Sequence, residues 1–378
     1  MTKNQSRAAP PNATASSIAG RATADGTSRF AGRHSARFVP DYFRPLSPPP
    51  DELRVSSIGL GTYLGECSTA DDEEYTEAAH LALASGISLI DTAINYRCQR
   101  SERAVGRALS RAVRENTVAR DEIVLCTKGG YIPLDDTPPA TREEYQAYVE
   151  REFISTGLAR TEDIVGGAHC IAPAFLDAQI ARSRANLGVD TIDVYYVHNP
   201  EQQLDAIGPA ELAVRLRAAF EMLERQCDIG TIGAYGCATW NGLRAAPGTR
   251  GHLSLAELVS LAQDVCGDRH HFAAVQLPIN LACTEAVRQP TQPLGEHTVP
   301  VLQAAGELGV AVVASATLLQ GKLAQHLPPT VHDALPGFST DAQRAIAFVR
   351  SLPMVTAALV GMKSVRHVHE NLAAARRG

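Results

Sequence analysis

The stretch Ile87-Ser88-Leu89-Ile90-Asp91-Thr92-Ala93-Ile94-Asn95-Tyr96 opens as a short, largely apolar run and then turns polar. A run of this length reads as a strand covered on both faces by other elements. Its polar end carries a carboxylate and a phenol. Two further runs repeat the arrangement: Ile123 to Thr127 ends beside Lys128, and Ile192 to Val197 ends beside His198-Asn199-Pro200. Working outward, Ser57 to Leu60, Thr231 to Tyr235, Ala273 to Leu277, Val310 to Ala314 and Thr356 to Val360 are runs of the same kind.

Helical patterns separate these runs. In Arg103 to Val113, the residues Ala104, Val105, Ala108, Leu109, Ala112 and Val113 share a face, and in Leu212 to Leu223 the stripe is Leu212, Leu216, Phe220 and Leu223. Strand and helix in alternation imply a parallel sheet with helices outside it. The strand number is the one an α/β protein of the (β/α)8 TIM-barrel kind requires. A doubly wound open sheet is the alternative, because alternation along the chain does not distinguish an open sheet from a closed one.

At 378 residues, 45% of them hydrophobic and 20% charged, the chain can bury a substantial core. A barrel of this length is ordinary as one domain. The formal charge of -6 offers no basic stripe for a phosphate backbone, so nucleic acid is not the expected partner and a small molecule is. The longest strongly apolar run, Val310 to Leu319, is about half of what a membrane-spanning helix needs. No membrane partner is expected, and no apolar segment follows Lys3 and Arg7 to form a secretory leader, so the expected location is cytoplasmic. The eight cysteines form no C-x-x-C pair and show no metal-type spacing, so they read as reduced, and no metal is expected. Cys98, two residues past Tyr96, reads as an inert thiol.

Residues 1–37 are rich in Ala, Ser, Thr, Gly and Arg without apolar periodicity, and read as a flexible N-terminal arm; residues 38–378 read as the barrel. Phe38, Tyr42 and Phe43, just before Pro48-Pro49-Pro50, are expected to dock on it. The connection Tyr131 to Pro173 is long, carries a helical pattern at Glu143 to Phe153, and reads as a functional loop.

In a barrel, all strand C-termini open on one face, which would gather Asp91, Tyr96, Lys128 and His198. A phenol with an ordinary pKa near 10 is a poor acid at neutral pH, and a cation beside it lowers that value. Lys128 supplies the cation. A buried lysine needs its own counter-charge, which Asp91 supplies, and His198 is placed to hold a carbonyl oxygen by a hydrogen bond.

On these residues the sequence resembles the aldo-keto reductase superfamily, over roughly Val55 to Ala375. The resemblance is carried by Val55-Ser56-Ser57-Ile58-Gly59-Leu60-Gly61-Thr62, Asp91-Thr92-Ala93 with Tyr96, Ser101-Glu102 with Gly106, and Leu125-Cys126-Thr127-Lys128. It continues through Leu187-Gly188 with Asp190, Ile192 and Asp193, then His198, Gln276, Asn280, Gly361-Met362-Lys363-Ser364 and Glu370-Asn371-Leu372. What the resemblance implies is an NADP(H)-dependent barrel acting on a small-molecule carbonyl or alcohol, with Tyr96 as general acid/base assisted by Asp91, Lys128 and His198. By the same likeness, Gln276 would hold the nicotinamide carboxamide, and Lys363 and Ser364 the adenosine 2′-phosphate. Glu370 and Asn371 would lie near the adenine with His367. Gly61, Thr62, Ser315, Leu318 and Gly321 complete the expected cofactor contacts. A homo-oligomer is among the assemblies left open.

The sequence departs from the family pattern in three places. Arg97 replaces the glycine after the catalytic tyrosine and is expected, with Tyr63 and Trp240, to face the substrate, reading an acidic group. Ala238-Thr239 stands where the family has a Ser-Asn pair. Ser315 stands where an aromatic ring stacks on the nicotinamide. These losses keep two alternatives open on the same scaffold: a redox-neutral proton-transfer enzyme, catalysing an elimination or isomerisation, and a non-catalytic regulatory subunit like the potassium-channel β-subunit relatives.

Overall fold

The computed structural model describes residues 17–46 and 52–376. Strands β1 (Phe43–Pro45) and β2 (Arg54–Ser56) pair as an antiparallel hairpin. The chain then enters the barrel with β3 (Ile58–Gly61), β4 (Leu89–Asp91), β5 (Val124–Gly129), β6 (Ile192–His198), β7 (Ile232–Ala238) and β8 (Phe272–Pro278). After a small hairpin, β9 (Gln292–Leu294) with β10 (His297–Val299), strands β11 (Ala311–Ser315) and β12 (Val355–Gly361) close it. The barrel order is β11-β12-β3-β4-β5-β6-β7-β8, every pairing parallel. The fold is the TIM barrel expected, and the open sheet is excluded by closure.

Side chains alternate along each strand, and this positions the chemistry. Leu89, Val124, Cys126, Val194 and Tyr196 point inward and form one buried cluster with Ala274, Val313, Ala357 and Leu359. Two residues further along the same inward rows stand Asp91, Lys128 and His198. Lys128 and His198 thus belong to their strands rather than to the loops beyond them. The outward rows carry Ile90, Leu125, Tyr195 and Val197 into the larger cluster beneath the helices.

Helices α1 (Ala24–His34), α2 (Thr69–Ser85), α3 (Arg100–Arg114), α4 (Arg142–Val149) and α5 (Pro173–Leu187) lie in the first half of the chain, and α6 (Pro209–Asp228) follows. In the second half come α7 (Leu255–Cys266), α8 (Glu285–Arg288), α9 (Val301–Leu308), α10 (Pro329–Ala334), α11 (Asp341–Ser351) and α12 (Val365–Leu372). The ends follow capping chemistry. Ser68 accepts from Asp71 N at the start of α2, and Gly86, at φ 107°, releases the chain into β4. Glu102, on the buried face of α3, accepts from Thr127 and Asn186, so this motif residue ties α3 to β5 and α5. Gly106 permits that approach, since a Cβ there would lie 2.6 Å from the carbonyl of Asn186.

The flexible arm requires correction. Residues 1–16 lie outside the described residues, but from Ser17 onward the segment is structured. Thr23 caps α1 by accepting from Gly26 N at 3.0 Å, and Ala22 N donates to Asp193 Oδ1 at 2.7 Å. Arg29 pairs with Asp121 and Glu122, and Arg33 with Glu122. The segment has too few apolar residues for a core of its own, but it borrows one. Phe30 is buried against the barrel, and Gly26 sits where a Cβ would meet the carbonyl of Asp121 at 2.2 Å. Phe38 and Tyr42 dock as expected, fully buried and stacked on each other; Pro48-Pro49-Pro50 lies outside the described residues.

Candidate active site

At the C-terminal mouth of the barrel, Lys128 Nζ donates to Asp91 Oδ1 at 2.5 Å and to the carbonyl of Thr92 at 2.8 Å. The second carboxylate oxygen of Asp91 accepts from Gln276 Nε2 at 2.8 Å. Strands β4, β5 and β8 therefore meet in one hydrogen-bonded chain. Burial opposes the charge on Lys128, but Asp91 and Tyr96 outweigh it and hold the ammonium above the usual lysine value.

Tyr96 follows β4 by five residues, and its ring centroid lies 5.0 Å from Lys128 Nζ. Burial pushes the phenol above its ordinary pKa, and the Lys128 charge offsets part of that rise. The cation lowers the phenol pKa as the sequence reading expects, but desolvation is the larger effect and sets the net direction. Tyr63 stands edge-on to Tyr96 at 5.1 Å on one side, and His198 at 5.9 Å on the other.

Burial, with the nearby charge of Lys128 and with His169, holds the His198 imidazole well below its ordinary value, so the ring is neutral at pH 7. Its Nδ1 is buried and has no protein partner among the described residues. Behind it, Gln203 Nε2 lies 2.8 Å from His169 Nδ1, while Gln203 Oε1 accepts from Arg215. That fixes the His169 tautomer: Nδ1 accepts, and Nε2–H donates to the His198 carbonyl at 2.7 Å. Tyr131 packs edge-on against both rings, and its hydroxyl accepts from Asn199 Nδ2 at 2.8 Å.

These groups open into a cavity of about 1310 Å³ that runs from Asp91, Tyr96 and His198 to Arg366, His367, Glu370 and Asn371 on α12. Gly61, Thr62, Gln276, Ser315, Leu318 and Gly321 line it, as do the half-exposed Tyr63 and Trp240. Ala316, Leu319 and Gln320 have positive φ (51°, 45° and 55°), so the chain after β11 curls tightly along the cavity wall. Of the long connection from Tyr131 to Pro173, only Tyr131 reaches the cavity; residues 315–344 supply far more of its wall.

Three placements, those of Arg97, Lys363 and Ser364, differ from expectation. Arg97 does not face the cavity: its Nε donates to the Glu66 carbonyl at 2.8 Å, its Nη2 pairs with Asp72, and its guanidinium covers Tyr75. A buried guanidinium requires a carboxylate, and α2 offers one. Lys363 also points elsewhere, with Nζ 2.7 Å from Asp71 Oδ1 and 3.4 Å from Glu74 Oε2, while Ser364 accepts from His367 N as the cap of α12. Arg366, the second residue of that helix, takes the cavity-facing place.

Four further lining residues, Asn95, Thr239, Thr317 and Arg344, each carry a buried polar atom without a protein partner among the described residues. Asn95 adjoins Tyr96 and Thr239 stands at the family's Ser-Asn position, so both had a positional signal; Thr317, in the turn after β11, and Arg344, on α11, had none. Glu201 was missed as well. Its Oε1 accepts from the backbone of Trp240, Asn241 and Gly242 at 2.7, 3.1 and 3.2 Å, which holds the Trp240 wall in place. Among the described residues, no group of three or more His, Cys, Asp or Glu is placed to hold a metal, and no helix is long and apolar enough to cross a membrane.

The barrel with this mouth matches a known family. The model of the Aldo/keto reductase family covers residues 57–333, and the chain belongs to that family. A curated relative, D-threo-aldose 1-dehydrogenase from a Pseudomonas species, is 30% identical over 187 residues, which is 49% of this chain and 50% of the relative. The match thus spans half the length of that relative. Among solved structures, an aldo/keto reductase from Klebsiella pneumoniae in complex with NADP and acetate superposes with a TM-score of 0.54 at 21% identity, covering 85% of this chain and 87% of that one. A holo-form aldo-keto reductase from Bacillus halodurans gives 0.58 at 18% identity, covering 88% and 90%. At these identities the structural likeness speaks for the fold.

Proposed function

We propose that this protein is an NADP(H)-dependent oxidoreductase that interconverts a carbonyl, whether aldehyde, ketone or sugar-like, and the corresponding alcohol, with Tyr96 as general acid/base. One observation carries the reading: a buried ammonium, anchored by Asp91, faces the Tyr96 ring, which lines a long cavity. The neutral His198 imidazole orients the substrate oxygen toward the Tyr96 hydroxyl. Tyr96 gives its proton to that oxygen in reduction and recovers it in oxidation, while Lys128 stabilises the phenolate and Asp91 keeps Lys128 charged.

The residues present fit a dinucleotide. The cavity exceeds the usual ~300–1,000 Å³ of a small-molecule site, and unpartnered polar atoms of Asn95, Thr239, Thr317 and Arg344 await a polar ligand along it. The bound nicotinamide would supply or accept the hydride. Gln276 uses its amide N–H on Asp91, leaving its carbonyl oxygen for the carboxamide; Gly61, Thr62, Ser315, Leu318 and Gly321 would flank the middle of the cofactor. Arg366, His367, Glu370 and Asn371 would hold its adenosine end. The extension to α12 favours this reading over redox-neutral proton transfer, which needs no such channel. The name of the Pseudomonas relative favours a sugar-like substrate.

The test is calorimetric titration with NADPH and NADH, followed by turnover on aldehydes, ketones and aldoses. Tyr96→Phe is expected to lower kcat by about 10²-fold or more with NADPH affinity unchanged. Undiminished turnover in that variant refutes the role.

A further inference from the structure

Cys67 and Cys98 are 31 positions apart in the chain, yet their sulfur atoms lie 3.3 Å from each other. Neither lines the cavity, but each closely follows residues that do. Cys67 is three residues past Leu64 and four past Tyr63, which line one wall; Cys98 is two residues past Tyr96, which lines the other. The approach is built in. Arg97 Nε donates to the Glu66 carbonyl at 2.8 Å, so the residue before each cysteine is bonded to the residue before the other. On the Cys98 side, Arg97, Cys98 and Gln99 are consecutive left-handed residues (φ 49°, 53° and 68°), and Cys98 O and Gln99 Nε2 are bonded to Asp136 N and Leu134 O. Cys67 is partly exposed.

We propose that Cys67 and Cys98 are a peroxide-oxidisable dithiol that closes to a disulfide behind the cavity wall. The sulfurs need to approach by only about 1.3 Å to reach bonding distance. Cys67, as thiolate, attacks the peroxide: an S–O bond forms, the O–O bond breaks, and hydroxide leaves and is protonated to water. Cys98 sulfur then attacks the sulfenic sulfur of Cys67, forming S–S and expelling the second oxygen as water. The two thiols lose two electrons and two protons, and hydrogen peroxide takes up both. The order follows from access: burial and the neighbouring Cys67 push the Cys98 thiol up to about 12, while Cys67 meets solvent.

The bond would fasten the Tyr63–Leu64 wall to the Tyr96 turn. Its effect on turnover rests on the carbonyl-reductase reading; its formation does not. The full-length protein is treated with hydrogen peroxide, alkylated, and analysed by intact mass and peptide mapping. Two of the eight cysteines should become unreactive, with a mass loss of about 2 Da, a peptide pair joining 67 to 98, and full recovery with dithiothreitol. Cys67→Ser, on the exposed loop, and Cys98→Ser should each abolish the crosslink. Eight thiols still reactive, or a bond joining other cysteines, overturns the proposal. If the crosslink forms and turnover is unchanged, that wall has no hand in catalysis.

Discussion

Lys128 and Asp91 form an ion pair at 2.5 Å with essentially no access to solvent on either side. Removing one partner of such a pair strands the other charge, at a cost of about 3–5 kcal/mol. Asp91→Asn is therefore expected to lower both stability and turnover. Combining it with Lys128→Met should recover part of the stability, measured by denaturant unfolding, and none of the turnover. If the double variant is no more stable than Asp91→Asn, the pair is not the source of the loss.

The raised Tyr96 pKa gives the two reaction directions different pH profiles. Reduction needs the phenol and should stay level through pH 9. Oxidation needs the phenolate and should climb toward and beyond pH 10. Lys128 pulls the phenol pKa down, so Lys128→Met moves the alkaline limb to still higher pH, and oxidation at pH 9 suffers more than it would from loss of binding alone. A limb shifted to lower pH contradicts the assignment.

Burial lowers the pKa of His169 from 6.5 to about 4. The unfolded chain therefore takes up a proton on this residue before the folded protein does. The associated stability is fully present above about pH 6.5 and is lost as pH falls toward 4, with a slope near 1.4 kcal/mol per unit. His34, also lowered to about 4, and His198 act in the same sense. His169→Gln should flatten, without abolishing, the fall in unfolding free energy between pH 6.5 and 4. An unchanged slope refutes a neutral, buried His169.

Arg366 lines the cavity while Lys363 is paired with Asp71. Charge-assisted hydrogen bonds contribute about 1.5–3 kcal/mol. Arg366→Ala is expected to weaken NADPH binding by about 10-fold or more with little change for NADH, and Lys363→Ala to cost less. Titration of both variants with both nucleotides decides the order; a larger loss from Lys363→Ala reverses it.

The eight barrel strands were legible because each is a short apolar run that ends in polar residues, and the same feature marked Asp91, Lys128 and His198. Alternation along a strand is enough to aim all three inward. The partners of Arg97 and Lys363 were not legible: both pair with carboxylates near the start of α2, and that contact depends on how a helix docks rather than on any local pattern. Thr317 belongs to a stretch turned by left-handed residues other than glycine, which composition does not announce, and Arg344 reaches the cavity from α11, whose docking no local pattern specifies. The N-terminal helix was missed for a similar reason, since its stabilising partners, Asp121 and Glu122, lie in another part of the chain.

Ala22, Leu46 and Val55 share one buried cluster with the inward-facing residues of the strands. The segment preceding the first staves is thus the stopper at the end remote from the chemistry. Family likeness begins at residue 57, but the structural unit begins earlier. A fragment cut where the likeness starts would leave the bore open to water from below, so excision at that point is an injury to the interior rather than the trimming of a tail.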